Sequence, residues 1–144
     1  MAKFQLLCAV HLFLVDKDKI LLLRRFNTGY EDGNFSVPAG HLDGGETVKQ
    51  AAIREAVEEV DVVISPEDLE IVQVMHRKTE QGERIDYFLR CEKWGGQVAN
   101  IEPDKCDLLH WSPMNDLPDN VIPYVAHAIE SHLEGIKFTE FGFL

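Results

Sequence analysis

Three glutamates, Glu55, Glu58 and Glu59, stand at i, i+3 and i+4 in the run KQAAIREAVEEV. At 3.6 residues per helical turn their carboxylates fall on one patch. Each like-charge pair, Glu55 with Glu58 and Glu55 with Glu59, costs about 0.2–0.5 kcal/mol, and carboxylates near the negative end of a helix cost roughly 0.3–1 kcal/mol more. Arg54 is the local compensation. A divalent cation turns the same repulsion into affinity, and oxygen-only donors favour Mg²⁺ or Mn²⁺ over zinc. The competing reading is a solvated acidic face, the usual fate of clustered charge on a helix. Ile53, Ala56, Val57 and Val60 form a separate apolar arc that can face a core. The small side chains of Ala51 and Ala52 are expected beside the acids, where they leave a ligand room.

Upstream, Gly40, Gly44 and Gly45 permit tight turns and close backbone approach, so carbonyls and N–H groups can point at an ion or a phosphate. Loop and helix together resemble the Nudix box, G-x5-E-x7-R-E-U-x-E-E-x-G-U with U apolar. Gly40, Glu46, Arg54, Glu55, Ala56, Glu58, Glu59 and Val62 carry the resemblance, over residues 40 to 62. One position departs from it: Asp61 stands where the box has glycine. That glycine is expected to end the helix in a left-handed conformation, which Asp tolerates better than most residues.

The resemblance implies a Nudix-type α/β/α sandwich around a central mixed β-sheet. It also implies hydrolysis of a nucleoside diphosphate linked to another group, with Mg²⁺ or Mn²⁺ as cofactor. Carried over, Glu58 and Glu59 are metal ligands, Glu55 is a ligand or the general base, and the carbonyl of Ala39 is a further ligand. Glu46 and Arg54 correspond to the pair that braces the loop beginning at Gly40 against the helix. The chemistry is consistent: a pyrophosphate repels nucleophiles until cations neutralise it, and a carboxylate can take the proton from the attacking water.

MutT-like relatives bring a further glutamate from a loop, a role that Glu102 suits; the alternative is an ordinary loop acid. Arg24 and Arg25 end a strand where relatives place a phosphate-binding cation. Strand alternation predicts that one of them points inward, and Arg24 is preferred. Asn120 sits where MutT-like proteins read a purine edge, although a helix N-cap is the commoner use of such a residue. Tyr30, Phe35 and Trp111 either stack on a base or belong to the core. The leading expectation is a pyrophosphohydrolase of a nucleoside triphosphate or related small nucleotide, releasing a monophosphate and pyrophosphate. The alternatives are a hydrolase of nucleotide sugars, dinucleotides or RNA 5′ ends, and a nucleotide-sensing module without turnover. The intact Glu55, Glu58 and Glu59 favour turnover.

Positioning these residues takes a mixture of strands and helices. Apolar runs at 4–15 and 19–25, joined by a polar turn, predict a hairpin, followed by a glycine-rich loop with a short strand at 35–38. A helix is expected over 47–60, opened by Thr47 with Glu46 beside it. Strands are expected at 68–76, 84–93 and 107–112, and a second helix at 121–134. This order gives an α/β or α+β class. At 144 residues the chain fits one domain, 1–144, that buries roughly 70% of its unfolded surface.

The formal net charge of −11 disfavours nucleic acid, whose backbone demands many Lys and Arg contacts, but admits a small phosphorylated ligand held by local cations or metal. Cys8, Cys91 and Cys106 form no C-x-x-C pair and leave an odd thiol, so a reducing, cytoplasmic setting is expected. Gln5 and His11 interrupt the apolar N-terminal stretch, which reads as a strand rather than a signal peptide. No apolar run approaches the roughly 20 residues of a membrane helix. The tail FTEFGFL either pairs two copies into a homodimer through an edge strand or packs on its own domain.

Overall fold

The computed structural model describes residues 2–144. Its central strand, β1 (Leu7–Asp16), meets β2 (Lys19–Arg25) only at Val15–Ile20 and Asp16–Lys19, so the expected hairpin spans two residue pairs. Beyond them the strands diverge. β2 pairs with the short β3 (Phe35–Ser36) and, antiparallel, with β7 (Cys106–Pro113). β1 pairs antiparallel with β4 (Ala39–His41) and parallel with β6 (Gly82–Cys91). β6 continues antiparallel into β5 (Leu69–Thr79), and β8 (Phe138–Phe141) closes that edge parallel to β5. The sheet is therefore mixed.

Burial follows from alternation along β1. Val10, Leu12 and Leu14 face one side, where they pack with Ala51, Ala52, Ala56 and Val60 of α1 (Val48–Val60). Phe13 and Val15 face the other, packing with Met75, Phe88 and Val125, Ala128 and Ile129 of α2 (Pro123–Leu133). A strand buried on both faces needs apolar residues at successive positions, which explains the near-continuous hydrophobic run. The two helices sandwich the sheet, an α/β/α arrangement.

Several expectations change at this level. Ala51 and Ala52 are fully buried: they form the contact stripe that lets α1 lie flat on the sheet, not a floor beside the acids. Val57, placed by periodicity in the apolar arc, is 44% exposed. β4, with the sequence Ala-Gly-His, carries no strand propensity of its own; pairing with Ala9–His11 imposes it. The tail packs on its own sheet as β8.

The ends of α1 are set by local chemistry. Thr47 accepts from the Gln50 N–H at 3.1 Å while Gln50 Oε1 accepts from the Thr47 N–H at 2.9 Å, a reciprocal capping box that leaves Glu46 free for another partner. Asp61 ends the helix at φ 61°, ψ 37°, the left-handed conformation expected of the residue that replaces glycine. α2 is capped by Ile122 and opens at Pro123, so Asn120 is not its N-cap.

Candidate active site

Arg54 organises the junction of loop and helix. Its Nη2 and Nε donate to Glu46 Oε1 and Oε2 at 2.7 and 3.1 Å, a two-pronged pair, and Nη2 also donates to the His41 carbonyl at 3.2 Å. On its other edge Nη1 donates to Glu55 Oε1 at 2.7 Å and reaches Glu58 Oε2 at 3.4 Å. One planar guanidinium thus ties the start of the loop to two successive turns of helix. The Arg54 hydrogen bond, helped by the Asp43 N–H, holds the Glu46 carboxyl below its usual range.

The glutamates do not point at a common centre. Glu55 is buried under Gly40, where a Cβ would collide with its carboxylate; glycine is required here for close approach. Glu58 remains exposed. Glu59 turns inward, its Oε2 accepting from the Ala39 N–H at 2.9 Å. Among the described residues no three His, Cys, Asp or Glu side chains are gathered into a ready-made metal cluster. The geometry gives the reason: Arg54 occupies the space between Glu55 and Glu58, and Ala39 holds Glu59.

Electrostatics nevertheless leave a deficit at this point. Burial pushes the Glu59 carboxyl up to about 8; the Ala39 N–H opposes the shift, and the charges of Glu55 and Glu102 add to it. Burial likewise raises Glu55, against the pull of Arg54 and with the push of Glu58 and Glu102. Glu55, Glu59 and Glu102 thus raise one another's affinity for positive charge, and every oxygen among them is a hard donor of the kind a divalent cation takes, while their side chains are not gathered around one point.

Glu102 enters this field from the loop before β7. Its backbone N–H donates to Asn100 Oδ1 at 3.1 Å, its carbonyl accepts from the Lys105 and Cys106 N–H groups, and Asn100 Nδ2 donates to the Cys106 carbonyl at 2.7 Å. Glu59, Glu102 and Ala39 line a cavity of about 400 Å³ together with Arg24, Arg25 and Lys105. Both arginines reach the cavity, contrary to strict alternation, because the pairing of β2 with β7 shifts register between them. Arg24 donates to Asp107 Oδ1 at 2.8 Å, while Arg25 donates to the Tyr30 carbonyl at 2.6 Å and is the cation whose charge acts on Glu59.

Asn120 lies outside this lining. Its Nδ2 donates to the Gly33 carbonyl at 2.9 Å, bracing the loop between β2 and β3. Of the three aromatics, Tyr30 lines the cavity, Phe35 belongs to the core, and Trp111 stacks on Trp94 with ring centroids 6.2 Å apart. Sequence reasoning passed over Lys105, Asn100 and Tyr124. Lys105 had a readable signal in EPDK ahead of a strand, and Asn100 lies two residues from the Glu102 that it braces; Tyr124 is joined to the site only by tertiary packing.

Fold and site together define an α/β/α sandwich protein with an acidic loop–helix centre. Residues 6–131 match the NUDIX domain, and the chain belongs to that family. It is 29% identical over 106 residues to the ADP-ribose pyrophosphatase of Methanocaldococcus jannaschii, an alignment that covers 73% of this chain and 61% of the relative. The chain thus spans less than two thirds of that relative's length. Among solved structures it is similar to a MutT NUDIX hydrolase from Burkholderia pseudomallei, with TM-score 0.80, 23% identity, and coverage of 88% of this chain and 98% of that one. It is also similar to a bifunctional NMN adenylyltransferase/ADP ribose pyrophosphatase from Francisella tularensis, with TM-score 0.73, 21% identity, and coverage of 92% and 42%. These likenesses establish the fold.

Proposed function

We propose that residues 1–144 form a single domain that hydrolyses the diphosphate linkage of a small nucleotide, using Mg²⁺ or Mn²⁺. The observation that carries the reading is the composition of one cavity: Glu59 and Glu102 share it with Arg24, Arg25 and Lys105. Acids alone attract metal, and cations alone attract phosphate; a metal-assisted phosphate reaction needs both.

Glu55 is kept for the general base, and Glu58, Glu59 and Glu102, with the Ala39 carbonyl, are the donors that would hold the metal. When bound, it would neutralise phosphate oxygens and make hydroxide available near neutral pH. Arg25 and Lys105 bind the remaining phosphate charge and orient the diphosphate against Glu59. Glu55 keeps one oxygen on Arg54, and Oε2, which accepts no hydrogen bond among the described residues, is left to take a proton from the attacking water. Glu46 and Arg54 act by fixing that geometry.

The substrate is a nucleoside diphosphate joined to a further group. A nucleoside triphosphate giving monophosphate and pyrophosphate is one such compound. The relative named for ADP-ribose supports a sugar in the same position. The fourteen Lys and Arg against 25 acids support a free small molecule over nucleic acid, and the odd number of cysteines supports a reducing compartment such as the cytoplasm. No helix among the described residues is long and apolar enough to cross a membrane.

The test is phosphate and pyrophosphate release across nucleoside triphosphates, nucleotide sugars and dinucleotides, with and without Mg²⁺, beside Glu58→Gln. Metal-dependent turnover that drops in the variant supports the reading. Nucleotide binding with no turnover across the panel would replace the hydrolase with a sensing module.

A further inference from the structure

A second cavity, of about 380 Å³, adjoins the first, since Tyr30 and Tyr124 line both. Its cations are Arg77 of β5 and Arg84 of β6, which stand directly opposite each other in the antiparallel ladder. Like charges in that relation repel. Arg77 is neutralised: it is buried, Nε donates to the fully buried Asp86 Oδ2 at 2.6 Å, and its guanidinium lies 3.6 Å from the centre of the Tyr124 ring.

Arg84 has no such arrangement. Its side chain makes no hydrogen bond or ion pair among the described residues, and its Nε is buried without a partner. The neighbouring acids are engaged or distant: Asp86 is taken by Arg77, Glu83 holds His76 at 2.8 Å, and Glu80, which also lines the cavity, forms no ion pair with it. A buried N–H left unpaired costs free energy, and a half-buried guanidinium facing a second one adds to that cost. Both are relieved by an oxyanion seated in this cavity.

We infer that the Arg77–Arg84 cavity is an oxyanion subsite that takes a phosphate or carboxylate carried by the substrate beyond its scissile diphosphate. The inference rests on the proposed hydrolysis of nucleoside diphosphate derivatives. It narrows the second group to one bearing its own negative charge. Tyr30 and Tyr124 line both cavities and so join the cations of the first to those of the second; the Tyr124 ring is buried with Arg77 against it, and the exposed Tyr30 is the aromatic surface left for the sugar or base between the two charged ends.

The test compares matched pairs that differ by one anionic group: UDP-glucuronate with UDP-glucose, and NADPH with NADH. Calorimetric Kd values without divalent metal are measured for the unmodified protein, Arg84→Gln and Arg84→Lys, and turnover with Mg²⁺ is measured separately. At least one anionic member is expected to bind about fivefold more tightly than its neutral match, with the preference lost in Arg84→Gln and partly kept in Arg84→Lys. Tm should not fall in Arg84→Gln, since the guanidinium makes no hydrogen bond or ion pair among the described residues, whereas a structural arginine would lower it. Equal Kd values within both pairs in the unmodified protein, or a preference that survives Arg84→Gln, overturn the subsite. Inorganic phosphate binding that is lost in Arg84→Gln without any preference within the pairs overturns the assignment to substrate and leaves a site for a free oxyanion. Absence of turnover across all four compounds counts against the hydrolase reading and leaves the Kd comparison intact.

Discussion

Gly40 acts through the atom it lacks. The Glu55 carboxylate occupies the volume a Cβ would need, so Gly40→Ala must push that carboxylate away from Arg54 Nη1 and out of its buried seat. Because the obstacle is the end of a flexible side chain, the fold should survive with a loss of about 1 kcal/mol. A catalytic group misplaced by about 1 Å can cost 10²-fold in rate, so kcat is expected to fall at least tenfold while KM changes little. Unchanged kcat would remove Glu55 from the chemistry. Arg54→Lys probes the other contact. A lysine cannot make the two-pronged bond to Glu46 while also reaching Glu55, so about 1–2 kcal/mol of stability should go with it, read as a lower urea midpoint.

Elements explain why some of the site was readable and some was not. The positions of Glu55, Glu58 and Glu59 on one helix follow from 3.6-residue periodicity, and the brace from Glu46 to Arg54 follows from the motif. The direction of each carboxylate does not: Glu55 turns under Gly40 because β4 passes over α1, and Glu59 turns inward because the Ala39 N–H is there to receive it. Arg24 and Arg25 both line the cavity for an equally local reason, a register shift between them that alternation cannot anticipate. Asp61, in contrast, adopts the left-handed conformation its place in the motif demands, at φ 61°. Glycine reaches that conformation without steric cost, so Asp61→Gly should raise stability by up to about 1 kcal/mol and leave kcat unaltered. A lower Tm in this variant would mean that the Asp61 side chain supports the turn in some way its backbone does not reveal.

At the scale of the molecule, charge couples folding, protons and metal. The chain carries 25 acids against 14 Lys and Arg, and its least comfortable carboxyl is Glu59, raised to about 8 in the fold from an ordinary value of 4.5. Between those values the native state binds more protons than the unfolded one, so Glu59 removes stability as pH rises toward and through 8. His11, lowered by burial to about 4 from 6.5, acts oppositely, adding stability as pH rises between those two values. Above pH 7 the histidine contribution is complete and Glu59 dominates, joined near pH 9 by Cys91 and Cys106, whose burial-raised thiols act in the same direction. The metal-free protein should therefore lose Tm from about pH 6.5 to 8, the window left to Glu59 once His11 no longer offsets it. A divalent cation competes with the same proton, so the Tm gained from millimolar Mn²⁺ should be larger at pH 8.5 than at pH 6.5. Scanning calorimetry of unmodified protein and Glu59→Gln checks both expectations, since the glutamine variant should show a flatter pH dependence and a smaller Mn²⁺ effect. A Mn²⁺ shift equal at the two pH values, or undiminished in Glu59→Gln, would place the cation away from the acid that most needs it.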